Sequence, residues 1–149
     1  MADATAPAPK TPWHLWLVGV LSLLWNSMGA LDFTMTQTRN EVWLKQMTPA
    51  QMDWVYAFPL WVVVTWGTAT WGSFIGSILL LARRRLTVSV NLVVLLAMVP
   101  TFAYEYILTD GRKIMGGGAG TLVFTGAIVL IGVLLFLYAR AMGKRGVLR

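Results

Sequence analysis

Asn26, Asp32 and Glu105 are the side chains best placed to recognise a solute, because each lies in or just beyond a long apolar run. Charge is expensive to bury in hydrocarbon, so an ionisable residue at membrane depth is a functional candidate by default. Asp32 and Glu105 each sit about 28 Å above the inner end of their helix, at about 1.5 Å per residue. Asn26 lies deeper, roughly 20 Å up by the same arithmetic. These residues outline an outward-facing polar cup. Asn26 is its floor, Asp32, Tyr104 and Glu105 its wall, and Tyr56 with Arg39 or Arg112 its rim. An amide and carboxylates give directed hydrogen bonds, and aromatic rings stack on apolar faces. That combination suits a sugar or another neutral polar ligand. The competing expectation is that both carboxylates only pair with Arg39 and Arg112 at the water interface.

Other chemistries find little support. The serines Ser22, Ser27, Ser73, Ser77 and Ser89 lie outside any GxSxG, and the one histidine, His14, falls on the inner side. No enzymatic activity is expected. The chain has no cysteine, and one histidine with six carboxylates offers no metal-ligand spacing. Neither a metal nor a cofactor is expected. Gly116-Gly117-Gly118-Ala119-Gly120 lacks the GK[ST] and the preceding strand of a phosphate loop, and reads as a flexible connector. The centre of the bundle is nearly free of charge. This argues against a proton-coupled pump of the small drug-exporter type, and no charged ring or carbonyl filter marks an ion channel.

The elements that carry these residues follow from composition. The 149 residues are 57% hydrophobic and 12% charged, where a soluble domain carries about 25% charge. Apolar runs near 20 residues long define a helical membrane protein. The fold class is all-α, a four-transmembrane-helix bundle with the lipid bilayer as its partner. The net charge of +6 is explained by basic residues at membrane ends and implies no nucleic acid.

Orientation comes from the Arg83-Arg84-Arg85 loop between the second and third runs. Basic residues at helix ends stay in the cytoplasm. With that loop inside, Lys10, Arg140, Lys144, Arg145 and Arg149 share its side. Arg39, Lys45, Arg112 and Lys113 are left outside. The expectation is a bacterial inner-membrane protein with both termini cytoplasmic.

Spans are expected at about 13–31, 54–82, 86–108 and 121–138. Residues 1–12 form a disordered N-terminus and 140–149 a basic tail. Thr11 is expected to cap the first span, with Pro12 in its first turn. The outer segment from Asp32 to Asp53 reads as amphipathic. Thr38 with Glu41 and Thr48 with Gln51 each suggest a capping box. The second span is too long for about 30 Å of hydrocarbon, so Pro59 should divide it. Thr68, Gly72 and Gly76 form one small-residue stripe on it, and Thr65, Ala69, Ser73 and Ser77 the next. Such stripes let helices approach closely, and Gly72 with Gly76 makes a GxxxG match. Pro100 should kink the third span. Ala30, Asp32, Phe33, Thr36 and Arg39 echo Ala103, Glu105, Tyr106, Thr109 and Arg112 at a constant offset, the mark of a two-helix repeat.

Trp13-His14-Leu15-Trp16, Leu24-Trp25-Asn26-Ser27-Met28-Gly29-Ala30-Leu31-Asp32 and Met35-Thr36-Gln37-Thr38-Arg39-Asn40-Glu41 carry a resemblance, with Phe58-Pro59-Leu60-Trp61, the arginine loop and Tyr138-Ala139-Arg140. Through them the chain resembles a family of small four-helix bacterial inner-membrane proteins often labelled sugar transporters. The resemblance covers nearly all residues after Thr11 and implies transport, without assigning a site. Two functional expectations result. One is a protein that moves or senses a small polar solute such as a sugar. The other is a noncatalytic accessory subunit of a larger membrane complex. Four helices scarcely enclose a sugar-sized path, so transport implies a homo-oligomer or a larger assembly.

Overall fold

The computed structural model describes residues 10–149, and the segment 1–9 of the expected disordered N-terminus lies outside them. The described residues form helices and connecting turns, with no strand among them. Helix α1 is Trp13–Gln37, α2 Glu41–Leu44, α3 Pro49–Tyr56 and α4 Leu60–Leu81. Helix α5, Leu86–Ala103, continues as a π-helical turn over Tyr104–Leu108; α6 is Gly111–Ile114 and α7 is Ala119–Lys144. Four of these are long and apolar enough to cross a membrane: α1, α4, α5 with its π turn, and α7. The chain is a multi-pass membrane protein.

The spans differ from expectation mainly at their ends. α1 runs six residues past Leu31, to Gln37, and α7 reaches Lys144. Length alone does not stop a helix where hydrocarbon stops; a cap does. α1 ends with Arg39 in the left-handed region (φ 54°), where Asn40 N–H donates to Met35 O at 2.9 Å and Arg39 N–H to Thr36 O at 3.1 Å. This paired 6→1 and 5→2 bonding closes a Schellman motif. The expected break at Pro59 is present. Pro59 is the N-cap of α4 and separates it from α3. Through Pro100 the helix continues, and the wider π turn begins four residues later.

Two capping expectations need correction. Thr38 does not cap α2: its hydroxyl donates back to Thr34 O at 2.8 Å, and Asn40 is the N-cap, accepting from Trp43 N–H at 3.1 Å. Thr11 does not cap α1 either. Pro12 holds the N-cap position, and Thr11 Oγ1 accepts from Arg83 Nη1 at 2.8 Å. The expected Thr48–Gln51 capping box is formed in both directions.

Packing follows the small-residue stripes of α4. On the α5 side, a Cβ at Gly72 would lie 2.7 Å from Val94 Cγ2, and one at Gly76 would strike Asn91 Oδ1. Thr87 Oγ1 then donates across to Gly76 O at 2.8 Å. On the α1 side, Asn26 Nδ2 donates to Ser77 Oγ at 2.9 Å and to Ser73 O at 3.2 Å. The two stripes thus serve two neighbours. Bilayer helices gain little from apolar area alone, so close backbone approach and interhelical hydrogen bonds hold them together. α7 packs against α5, and the ring of helices is weakest between α7 and α1. That seam is bridged by Trp25 against Phe124, with centroids 6.0 Å apart, and near the start of α1 by His14 Nδ1 and Tyr138 Oη at 2.5 Å.

The C-terminal residues are tied down more firmly than a free basic tail. Gly146 (φ 70°) turns the chain after α7, with Val147 N–H donating to Met142 O at 3.1 Å. Val147 and Leu148 are buried with Leu15, Leu80, Ala139 and Met142. Arg149 N–H donates to Arg83 O at 2.6 Å, and Arg85 N–H to Arg149 O at 2.8 Å. Arg84, Arg85, Arg140, Lys144, Arg145 and Arg149 around them are exposed, and Arg83 is partly buried. The start of α1, the arginine loop and the last residues therefore meet at one end of the molecule.

Candidate functional site

A cavity of about 720 Å³ opens among α1, α4, α5 and α7. Asn26, Asp32 and Glu105 all line it. Their common placement follows from helix geometry. Asn26 and Asp32 lie on α1, and Glu105 on the π turn after α5. Asp32 is exposed at the mouth, and one of its carboxylate oxygens accepts from Trp43 Nε1 at 2.9 Å. Glu105 is half-buried and has no hydrogen bond or ion pair among the described residues. Neither carboxylate meets Arg39 or Arg112. The ion pair found among the described residues is Lys113–Asp110, at 2.8 Å on the exposed outer loop. The Asp110 carboxylate raises the Lys113 ammonium above its ordinary range, by hydrogen bond first and charge second.

Tyr56 and Tyr104 stand outside this cavity, contrary to the cup drawn from the sequence. The Tyr56 hydroxyl donates to Thr36 O at 2.9 Å, and the Arg39 guanidinium stacks 4.4 Å from its ring centroid. That Arg39 contact is a cation–π pair, which removes Arg39 from the carboxylates. Tyr104 packs edge-on against Phe58 and Trp61, at 5.2 and 5.6 Å. Glu105 lines the cavity, while the ring of its neighbour Tyr104 is turned to Phe58 and Trp61.

Asn26 is not the floor. Its amide is committed to Ser73 and Ser77, and the cavity continues past it to Asn91 and Leu135. Asn91 is 7% exposed and lines the cavity. Its side chain makes no hydrogen bond among the described residues. Its approach to Gly76 depends on how α4 and α5 cross, which no local rule in the sequence fixes.

The walls are more apolar than a sugar cup requires. Trp25, Trp54, Phe58, Trp66, Phe102 and Phe124 contribute rings. The outer segment supplies the mouth through Trp43, Gln46 and Met47, while Val42 points away and is 74% exposed. α3 is fixed over the opening by Trp54 Nε1 donating to Thr109 Oγ1 at 3.3 Å and Gln51 Nε2 donating to Ile114 O at 3.4 Å. Gly111 allows this closeness, since a side chain there would strike the Trp54 ring. A smaller cavity of about 260 Å³ lies along the α1–α7 seam and shares Ile131 and Leu135 with the main one. The apolar residues of the outer segment hinted at the mouth; the ring-lined walls had no signal beyond tryptophan content.

Most polar side chains in the walls are already bonded. Ser73 donates to Ala69 O, Thr70 to Trp66 O and Thr101 to Ala97 O, while Thr125 bonds Tyr106 Oη. Hydroxyls that bond back to the preceding turn satisfy themselves inside a helix. Among the lining groups that make no side-chain hydrogen bond among the described residues are Glu105, Asn91, Gln46 and the indole N–H groups of Trp25 and Trp66, together with the second oxygen of Asp32. Comparison with protein-family models, curated proteins and solved structures found no match.

Proposed function

We propose that this protein is a non-enzymatic, solute-binding membrane protein that moves or senses a small molecule taken into the cavity from the outer side. The observation that carries the reading is the convergence of Asp32 and Glu105, from separate spans, on one cavity with neither carboxylate in an ion pair. A buried or half-buried charge without a partner costs folding energy unless a ligand recovers it. The resemblance to small membrane proteins labelled sugar transporters supports the same reading. The arginine loop supports placing the protein in a bacterial inner membrane with both ends cytoplasmic.

A second reading is favoured by α7. Only 6% of its apolar window is buried inside the chain, against 22–28% for the other three spans. A span so little covered suits contact with a second copy or with a larger membrane complex, in which this chain is an accessory subunit. The same experiment separates the two. Protein purified from its native membrane is screened for solute-dependent thermal stabilisation and for copurifying chains, as wild type and as Asp32→Asn and Glu105→Gln. Solute binding predicts stabilisation that both substitutions weaken. An accessory role predicts a stoichiometric partner and no solute response.

A further inference from the structure

We infer that the cavity takes a hydrophobic organic cation: an aromatic or aliphatic body carrying one positive charge, as in a quaternary ammonium or phosphonium ion. This rests on the solute-binding reading above and names the ligand class.

Charge is the first argument. The described residues that line the cavity include two carboxylates and no lysine, arginine or histidine. Its field is therefore negative, and the low-dielectric walls around Glu105 strengthen it. The second argument is the walls. Aromatic faces carry negative charge density and attract cations, most strongly when the cation is poorly hydrated. Trp25, Trp54, Phe58, Trp66, Phe102 and Phe124 surround the space between the mouth and the floor. An apolar ligand body fills such walls; a strongly hydrated metal ion does not.

The bonding of the wall hydroxyls separates this class from a sugar. A sugar needs many directed donors and acceptors, and wall hydroxyls that donate to backbone carbonyls have no proton left to give. Of the side-chain amides, Asn26 Nδ2 is spent on Ser73 and Ser77. Asn91, a residue 7% exposed, makes no side-chain hydrogen bond among the described residues and lines the far end of the cavity. With Gln46 at the mouth it supplies two free amides at opposite ends of the cavity, and the aromatic walls between them offer a sugar few directed partners. An extended ligand would place its charge near Glu105 and its far end near Asn91.

The test is equilibrium binding of tetraphenylphosphonium to the purified full chain in detergent, with triphenylphosphine oxide as neutral comparator and glucose as the sugar. Saturable phosphonium binding is expected, with the oxide and glucose weaker by about ten-fold or more, the scale of one lost charge contact. Glu105→Gln keeps the shape and should weaken phosphonium binding by about ten-fold, with a smaller loss for exposed Asp32→Asn. Thermal melts confirm that each variant folds; should Glu105→Gln fail, Asp32→Asn carries the comparison. Phosphonium binding unchanged in the folded variants, or equal binding of the neutral oxide, overturns the cation class. Glucose binding that the substitutions weaken also overturns it, and leaves the solute reading standing. Absence of saturable binding by all three probes overturns both.

Discussion

Asn26 on α1 and Ser77 on α4 are joined at 2.9 Å, and the Ser77 hydroxyl donates on to Ser73 O at 3.0 Å within its own helix. Asn26 Nδ2 bonds that same carbonyl. One amide thus closes a small network that locks the two spans at the height of the cavity. Interhelical hydrogen bonds of this kind are worth about 0.6 kcal/mol on average and up to about 1.7. Ser77→Ala should lower stability by about 1 kcal/mol, read as a drop in the melting temperature in detergent. Asn26→Leu should cost more, because it also fills the space beside Ser73.

The glycines of α4 give a sharper contrast. Gly76→Leu must displace Asn91, and should cost about 1–3 kcal/mol through overpacking. Gly126 in α7 has nothing within 4 Å of where a Cβ would stand, so Gly126→Ala should leave the melt nearly unchanged. Equal effects at both sites would mean that the Gly76 face is turned to lipid.

At the inner end, Leu148 is fully buried against Leu15 and Leu80. Leu148→Ala should cost about 2–3 kcal/mol, as core truncations do. Gly146 holds a left-handed φ that a side chain resists, so Gly146→Ala should cost about 1 kcal/mol. Both are measured by the same melts. A tail that only carried charge would tolerate each change.

Orientation is checked by reporter fusions. Thr11 meets Arg83 at the end where Arg149 meets Arg85, so these three segments must report the same side. Fusions after Arg85 and Arg149 should read cytoplasmic, and fusions near Lys45 and Lys113 periplasmic. A periplasmic signal after Arg149 would contradict the charge argument.

The sequence was most legible where a local rule decides the outcome. Apolar length marks the spans, Pro59 breaks a helix because its ring cannot extend one backward, and Thr48 with Gln51 writes a capping box. It was least legible where a rule had competitors. Thr38 and Asn40 both precede α2; Thr38 bonds back to its own helix and leaves the cap to Asn40. The tail's charges concealed Val147 and Leu148, whose burial depends on Gly146 turning them under the bundle. For the site, the helix arithmetic that set Asp32 and Glu105 at one height also put them on one cavity. Tyr104 leaves the site because its ring packs on Phe58 and Trp61, tertiary contacts that no local rule writes into the sequence. The aromatic walls required knowing which face of each span turns inward.

The claim on which this account depends is that the cavity is open to solute from the outer side. The chain has no cysteine, so a single introduced thiol can be read without background. Ser73→Cys lines the cavity, whereas Ile78→Cys lies on a face that is 43% exposed in the isolated chain and turned to lipid by this account. Both are treated with a small membrane-impermeant thiosulfonate added from the outside of oriented vesicles. The account predicts that Ser73→Cys reacts and Ile78→Cys does not. An unreactive Ser73→Cys in folded protein would contradict it.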